Sequence, residues 1–358
     1  MTGAVPHPWQ ASAWARLAGG RDTLPHGLLI TGADGLGKNA LAQHLATALL
    51  CQARDAPTRP CGSCQSCRLF HAVSHPDLHV LRPEIVFRND DSLLSQYAIR
   101  YAPPRPKSRK TDSKVIAVDQ VRALIEGVQT HPLIAPHRVA LITPADALNV
   151  NAANSLLKLL EEPPGATTLV LVTARPERLP ATVRSRCMLI SAPAAPRGEA
   201  LAWLAGEGVP GDEAALLLDL SGGAPLLALE RARAGFLAER RRMIDDFAGI
   251  GRHAADPLAC AGRWKSVGPD AALAWVQCWT VDAIRCATVT DPPRLYNPDA
   301  REALHEAGKG LNLKALFDFL EAVSEARRLL GGPLDEQLLL EDVLVRWAMS
   351  HRKTPTNA

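Results

Sequence analysis

Hydrophobic residues in the first half of the chain form short continuous runs, separated by segments with helical spacing. Residues 27–31, 138–143 and 168–174 are apolar runs with the length of a buried strand. Such runs, joined by amphipathic segments and short links, are typical of a parallel sheet with helices on both faces. The pattern predicts a doubly wound α/β domain that ends near Ser191.

The segments between these runs predict the covering helices. After Lys38, apolar residues recur with helical spacing at Leu41, Leu45, Ala48 and Leu49. Residues 149–162 predict another helix, which Pro163 ends because proline cannot continue the hydrogen-bond pattern. Residues 115–118 predict a further strand, and Asp119 is the expected N-cap of the helix that follows it.

The second half of the chain shows helical spacing after a linker marked by Pro193 and Pro196. We predict an α/β domain over residues 1–191, a small helical domain over 192–235 and a larger all-α domain over 236–358. Four tryptophans of the last domain are expected to pack in its core rather than to form a platform for nucleic acid: Trp264, Trp275, Trp279 and Trp347.

Composition and charge narrow the picture. The chain has 358 residues, of which 47% are hydrophobic and 22% charged, which excludes global disorder. A formal net charge of +3 is too small to identify a nucleic-acid partner, so any basic surface must be local. The first ten residues lack the pattern of a signal peptide, and no apolar stretch has the length of a membrane span. A cytoplasmic protein is expected.

The stretch after the first predicted strand almost matches the phosphate-binding P-loop, G-x-x-x-x-G-K-[ST]. Gly32, Gly35 and Gly37 let backbone N–H groups turn towards phosphate oxygens, and Lys38 supplies a cation for the outer phosphates. Asn39 replaces the hydroxyl residue that holds Mg²⁺. Two interpretations stay open: weak binding of ATP or ADP, and a glycine-rich turn without a ligand.

Hydrolysis needs carboxylates that P-loop ATPases carry after a neighbouring strand, one for Mg²⁺ and one for the attacking water. The corresponding strand here is followed by Thr143 and Pro144. Asp146 follows three residues beyond the strand end and could in principle swing in, but the intervening proline directs the chain away from a simple replacement. The sequence therefore predicts that the chain does not hydrolyse ATP by itself.

Four of the eight cysteines are close together in the sequence: Cys51, Cys61, Cys64 and Cys67. Two consecutive C-x-x-C steps place three thiolates on one tight turn, and Cys51, at the end of a predicted helix, can supply the fourth. This spacing predicts a structural zinc site without an open coordination position. Free or redox-active thiols are the alternative. The nearby His71, His75 and His79 are expected to be surface or capping residues.

Residues 86–114 lack periodicity and predict a loop. This loop carries prolines and a basic run that comprises Arg105, Lys107, Arg109, Lys110 and Lys114. A basic loop can follow phosphates, but a solvated insertion is the favoured interpretation.

Taken together, these motifs resemble the AAA+ subunits of the bacterial DNA polymerase III clamp loader, and most closely the delta-prime family. The resemblance depends on Pro8-Trp9, the loop 32–38, the four cysteines, the helix 154–164 and the motif Ser185-Arg186-Cys187. It is plain over residues 1 to about 230 and only architectural beyond. It implies a P-loop AAA+ domain with an inserted zinc knuckle, a helical lid and an all-α collar.

The resemblance also implies function and partners. The family's complex loads a ring-shaped sliding clamp onto primed DNA, so the expected partners are gamma/tau and delta subunits, the clamp and primer-template DNA. Delta-prime members do not hydrolyse ATP; here Leu226 stands where we align the lid arginine of the motor subunits. Arg186 matches an arginine finger that acts in trans on a neighbouring motor subunit. A surface arginine with a capping role is the alternative.

The resemblance places Arg122 and Lys158 on the DNA-facing surface, where they would contact the phosphate backbone. Ordinary solvated charges explain them almost as well. Two other functions are kept as alternatives: a self-contained P-loop ATPase resembling the gamma/tau motor, and a zinc-containing DNA-binding module.

Overall fold

The computed structural model describes residues 6–19, 24–53, 59–104, 111–289, 292, 295–308, 312–332 and 334–351. The chain divides between Glu199 and Ala200 into two compact units. The first unit is α/β and the second is helical. The finer division at residues 191 and 235 stays a prediction.

The first unit is built on a five-stranded parallel sheet with the order β2-β3-β4-β1-β5. Its strands are β1 (Gly27–Thr31), β2 (Leu78–Leu81), β3 (Arg138–Ile142), β4 (Thr167–Thr173) and β5 (Met188–Ser191). The predicted strands at 27–31, 138–143 and 168–174 are confirmed to within one residue at each end. β2 was not predicted, because its four residues include a histidine and form too short a run to stand out.

Alternate residues of the strands face opposite sides of the sheet, which gives the unit two apolar layers. Leu28 and Ile30 belong to one layer and Leu29 to the other. The helices of this unit are α1 (Ala11–Gly19), α2 (Lys38–Leu50), α3 (Gln65–His71), α4 (Glu84–Asn89), α5 (Leu93–Ala98), α6 (Val118–Val128), α7 (Val150–Ser155), α8 (Leu157–Glu161) and α9 (Ala181–Arg184). The predicted doubly wound α/β fold is therefore confirmed.

Two local predictions are wrong near α6. Residues 115–118 do not form a strand; Ile116 makes only an isolated bridge with Leu148. The N-cap of α6 is Ala117 rather than Asp119, and the Gln120 side chain accepts a hydrogen bond from the Ala117 N–H at 3.1 Å. The glutamine at the third helical position thus satisfies the N–H of the residue that caps the helix.

The predicted loop over residues 86–114 is wrong for its first part. α4, α5 and a 3₁₀ turn cover most of residues 84–101, and the buried Arg82 donates to Asp90 at 2.5 Å and to Ser92 at 3.1 Å. Short helices of six residues are hard to detect from periodicity. Most of the basic run, Arg105, Lys107, Arg109 and Lys110, lies outside the described residues.

The predicted helix over residues 149–162 is observed as two pieces, α7 and α8, that meet at Leu156. Asn149 caps the first piece, since its side-chain oxygen accepts the Ala152 N–H at 2.8 Å. β5 is an edge strand, and its Met188 and Leu189 side chains are exposed.

Helix α10 (Arg197–Gly206) begins just before the division and continues into the second unit. The second unit also contains the helices α11 (Gly211–Leu220), α12 (Pro225–Arg233), α13 (Phe236–Gly251), α14 (Pro257–Arg263), α15 (Pro269–Thr288), α16 (Arg301–Gly308), α17 (Leu313–Leu329) and α18 (Glu336–Ser350). Phe247 is the centre of its aromatic core: it stacks on Trp347 at a centroid distance of 4.2 Å. All four tryptophans named above are buried, which confirms the packing prediction.

Nowhere in the described ranges is a helix long and apolar enough to cross a membrane.

Candidate functional site

The P-loop lies between β1 and α2, with α2 beginning at Lys38. Gly32, Gly35 and Gly37 all have positive φ values, of 148°, 78° and 82°, a region that L side chains rarely adopt. The glycine frame of a phosphate loop is therefore retained. The side chain of Lys38, however, is buried against its own loop: Nζ donates to the Ala33 carbonyl at 2.8 Å and to Asp34 Oδ1 at 3.2 Å.

Asn39 is likewise occupied by contacts within the chain. Its Oδ1 accepts a hydrogen bond from the Thr143 hydroxyl, which follows β3, at 2.7 Å. Asp146, the nearest acidic residue after that strand, accepts from the Thr173 hydroxyl at 2.5 Å and lies 3.8 Å from Arg175. Asn39 and Thr143 thus contact each other, and Asp146 is engaged by Thr173 and Arg175.

The N-terminal segment closes against the same loop. The Trp9 indole and the Gln10 amide both donate to the Leu36 carbonyl, at 3.1 and 2.8 Å. His7 stacks on Trp9, and a Cβ atom placed on Gly37 would lie 2.5 Å from the His7 ring. Gln10 and His7 were not predicted as part of the site, although Gln10 fits the spacing of a capping box.

The four cysteines come together at the end of α2 and the start of α3, as predicted. Their sulfur atoms all lie within 4.8 Å of one another, and Cys51 Sγ is 3.9 Å from Cys64 Sγ. A tetrahedral zinc ion with Zn–S bonds of about 2.3 Å separates its sulfurs by about 3.8 Å. The cluster therefore fits a zinc knuckle, and all four thiols are free of disulfides.

Backbone N–H groups point at these sulfurs. The Cys64 N–H lies 3.4 Å from Cys61 Sγ, and the Cys67 N–H lies 3.4 Å from Cys64 Sγ. Burial opposes ionisation of Cys61, but the N–H groups of Ser63 and Cys64 outweigh it and lower the pKa of Cys61 to about 6. Burial raises the pKa of the Cys51 and Cys67 thiols. These two buried sulfurs need a cation in the cluster to be held as thiolates.

The histidines beside the knuckle are only partly as expected. His71 is exposed, but His75 and His79 are buried, so a surface position is wrong for these two. His75 Nε2 makes a 2.9 Å hydrogen bond with Ser66 in α3, and its Nδ1 accepts the Asp77 N–H at 3.1 Å. Burial lowers the pKa of His75. This histidine therefore connects the helix that carries Cys67 to the start of β2.

Arg186 lies just before the edge strand β5. Its Nε and Nη2 atoms both contact Glu161 Oε1, at 2.8 and 2.5 Å, and Nη1 donates to the Thr182 carbonyl at 2.9 Å. The guanidinium-bearing side chain is nevertheless 36% exposed. Sequence reasoning did not find Glu161 as its partner, because the two residues are separated by 25 positions.

The two predicted DNA-backbone residues are exposed on helices of the same unit. Arg122 lies on α6 and pairs with Asp119 one turn earlier at 3.4 Å. Lys158 lies on α8. Their assignment to DNA stays a prediction.

Comparison with known proteins decides the family. A family model described as DNA polymerase III, delta subunit, matches residues 11–195, and a second model, of the C-terminal part of the delta subunit, matches residues 234–349. The DNA polymerase III subunit delta' of Pseudomonas aeruginosa is 35% identical over 351 residues, or 96% of this chain and 97% of that protein. The chain belongs to the delta-prime family of DNA polymerase III subunits.

Two further relatives match shorter stretches. The delta' subunit of Escherichia coli K12 is 37% identical over 57% of this chain and 53% of that protein. The tau/gamma subunit of Haemophilus influenzae is 30% identical over 46% of this chain and 20% of that protein. The solved Bacillus subtilis clamp loader delta protein overlaps 94% of this chain and 99% of that chain at 12% identity and a TM-score of 0.31, too distant for any inference.

Proposed function

We propose that this delta-prime family member is the non-hydrolysing subunit of a DNA polymerase III clamp loader in the cytoplasm. Its partners are gamma/tau and delta subunits, the sliding clamp and primer-template DNA, with residues 192–235 as a lid and 236–358 as the collar. The P-loop carries the proposal: Lys38, which would contact phosphate, is held by its own loop, and Asn39, which would contact Mg²⁺, accepts a hydrogen bond from Thr143. ATP or ADP binds weakly or not at all.

Arg186 is the residue through which we propose that the chain acts on ATP. An arginine finger must be exposed, permanently charged and able to grip two phosphate oxygens at once. Arg186 is partly exposed at the edge of the sheet, beside the exposed Met188 and Leu189. These positions suit a contact with the ATP site of a neighbouring motor subunit.

The other sites support assembly rather than chemistry in this proposal. Zinc held by Cys51, Cys61, Cys64 and Cys67 would keep the knuckle folded, since four thiolates leave no position for a substrate. Arg122 and Lys158 would contact the phosphate backbone without reading bases.

The test is reconstitution of the clamp loader with Arg186→Ala. An arginine finger contributes about 10³-fold or more at its own site. We expect folding and assembly to be retained while DNA- and clamp-stimulated ATP turnover falls only in part, because the other motor sites keep their own fingers. Clamp loading should fall further than bulk turnover if the sites must fire together.

Arg184→Ala is the matched control, since Arg184 is also exposed and lies only two positions away. It should leave turnover and loading unchanged. Arg186→Lys should rescue poorly, because an ammonium group keeps the charge but loses the planar grip on two oxygens. Full turnover and loading in a correctly assembled Arg186→Ala complex would refute the proposed role.

A further inference from the structure

The contacts of Arg186 engage three of its five N–H groups. Nε–H and one N–H of Nη2 point to Glu161 Oε1, and one N–H of Nη1 points to the Thr182 carbonyl. Among the residues that the structure describes, these contacts leave one N–H on each terminal nitrogen uncommitted. Two terminal N–H groups are the pair that a guanidinium uses for end-on contact with two phosphate oxygens.

The backbone of Arg186 is positioned as well. A Cβ atom on Gly27, the first residue of β1, would lie 2.7 Å from the Arg186 carbonyl oxygen, so the two segments are packed as closely as glycine permits. Glu161 is the last residue of α8, where Leu159 and Leu160 are buried against the sheet. Both ends of the Glu161–Arg186 pair are therefore anchored on the rigid part of the first unit.

We infer that Glu161 is the positioning residue for Arg186: it holds the guanidinium by its inner edge and leaves the outer N–H pair for a phosphate. The inference rests on the proposed role of Arg186 in trans. Fixing an arginine side chain in one conformation costs side-chain entropy. If Glu161 fixes Arg186 before the neighbouring subunit binds, this entropy is not lost in the transition state of ATP hydrolysis. Thr182 contributes through its carbonyl, which no side-chain substitution removes.

The experiment compares Glu161→Ala with Glu162→Ala in the reconstituted complex. Glu162 is the neighbouring exposed carboxylate, and neither the Arg186 hydrogen bonds nor its ion pair include it. We measure kcat and KM for ATP in the presence of clamp and primed DNA. The part of kcat that depends on Arg186 is the difference between the unsubstituted complex and the Arg186→Ala complex.

Glu161→Ala should lower this Arg186-dependent part of kcat by about tenfold, the order expected when a catalytic group loses its fixed orientation. KM for ATP should stay within about twofold, because the finger acts on the transition state rather than on ATP binding. Glu161→Gln keeps an oxygen acceptor and should recover part of the loss. Glu162→Ala should behave like the unsubstituted complex.

The decisive measurement is the double substitution. If Glu161 acts through Arg186, adding Glu161→Ala to Arg186→Ala should change nothing further. An equal fall in both backgrounds means that Glu161 has a general structural role, and the inference is wrong. Faster turnover in Glu161→Ala means that the carboxylate competes with phosphate, which also overturns it.

Two failures can be told apart. If Arg186→Ala itself leaves turnover and loading intact, the proposed function fails. If Arg186→Ala slows turnover while Glu161→Ala and Glu161→Gln do not, the proposed function stands and only the positioning role of Glu161 is lost.

Discussion

The cysteine knuckle and the P-loop are both candidate ligand sites of the first unit, but their polar groups are used differently. In the knuckle, four sulfurs converge within 4.8 Å and receive long hydrogen bonds from backbone N–H groups and from the Ser63 hydroxyl. In the P-loop, Lys38 and Asn39 make short bonds to Ala33 and Thr143. Convergent sulfurs fit a metal ion, whereas polar groups that already bond within the chain support the proposal that nucleotide binds weakly or not at all.

A second contrast concerns two cations of the unit, Lys38 and Arg186, for which the sequence predicts contacts with ATP phosphates. Lys38 is buried and held by the loop it was expected to serve. Arg186 is partly exposed and keeps uncommitted donors among the described contacts. A motif should therefore be judged by the contacts of its side chains as well as by its sequence: Lys38 stands at its motif position but is held within the loop, whereas Arg186 is partly exposed.

The largest expected effect is on the knuckle. Cys64→Ser should reduce bound zinc from one per chain to none, because one thiolate of four is lost and structural zinc sites bind with free energies on the order of 10 kcal/mol. Elemental analysis of purified protein measures the metal, and hydrogen exchange should show residues 59–71 opening.

Cys286→Ser is the control, since Cys286 is also half-buried but lies outside the cluster. It should retain the metal. A folded protein with no zinc and unchanged protection of the knuckle would contradict the zinc prediction and restore the alternative of free thiols.

A smaller effect tests the closure of the P-loop. Gly37→Ala should destabilise the protein by about 2 kcal/mol, because an L residue in the left-handed region costs about 1–2 kcal/mol and the new Cβ must displace His7. Urea unfolding measures the change in the free energy of unfolding.

Gly165→Ala serves as the matched variant for this comparison. Gly165 also has a positive φ, of 56°, but a Cβ there would meet only the His131 ring at an ordinary 3.5 Å. The stability lost in Gly165→Ala should therefore reflect only the backbone strain of an L residue at positive φ. If both variants lose the same stability, the N-terminal segment does not pack on the loop as described.

The smallest expected effect is on ATP hydrolysis by the isolated chain, which should be absent. Asn39→Ser restores the hydroxyl of the motif, yet turnover should stay at background because Thr143 and Pro144 stand where carboxylates are needed. Phosphate release, with a gamma/tau subunit as the positive control, measures it. Steady ATP turnover that disappears with Lys38→Ala would contradict the proposal that the chain does not hydrolyse ATP and would favour a self-contained ATPase.

The sequence by itself determined the features that depend on near neighbours along the chain. Three strands, the glycine frame of the loop, the end of α2 at Cys51 and the two C-x-x-C steps were all predicted and observed. Each depends on local spacing, on the φ preference of glycine or on the length of a buried run. These properties can be recognised in the sequence without knowledge of the tertiary structure. The short strand β2 and the six-residue helices α4 and α5 were missed because their runs are too brief to carry a period.

Only the tertiary structure decided which side chains meet. The contacts Gln10 to Leu36, Asn39 to Thr143 and Glu161 to Arg186 join positions 26, 104 and 25 residues apart. The burial of His75 and His79 likewise follows from the sheet that forms around them. Sequence spacing carries no information about such pairs, because hydrogen bonds between distant segments depend on how the strands and helices pack. The hydrogen bond between Asn39 of the P-loop and Thr143 and the pairing of Arg186 with Glu161 are therefore seen only in the folded chain.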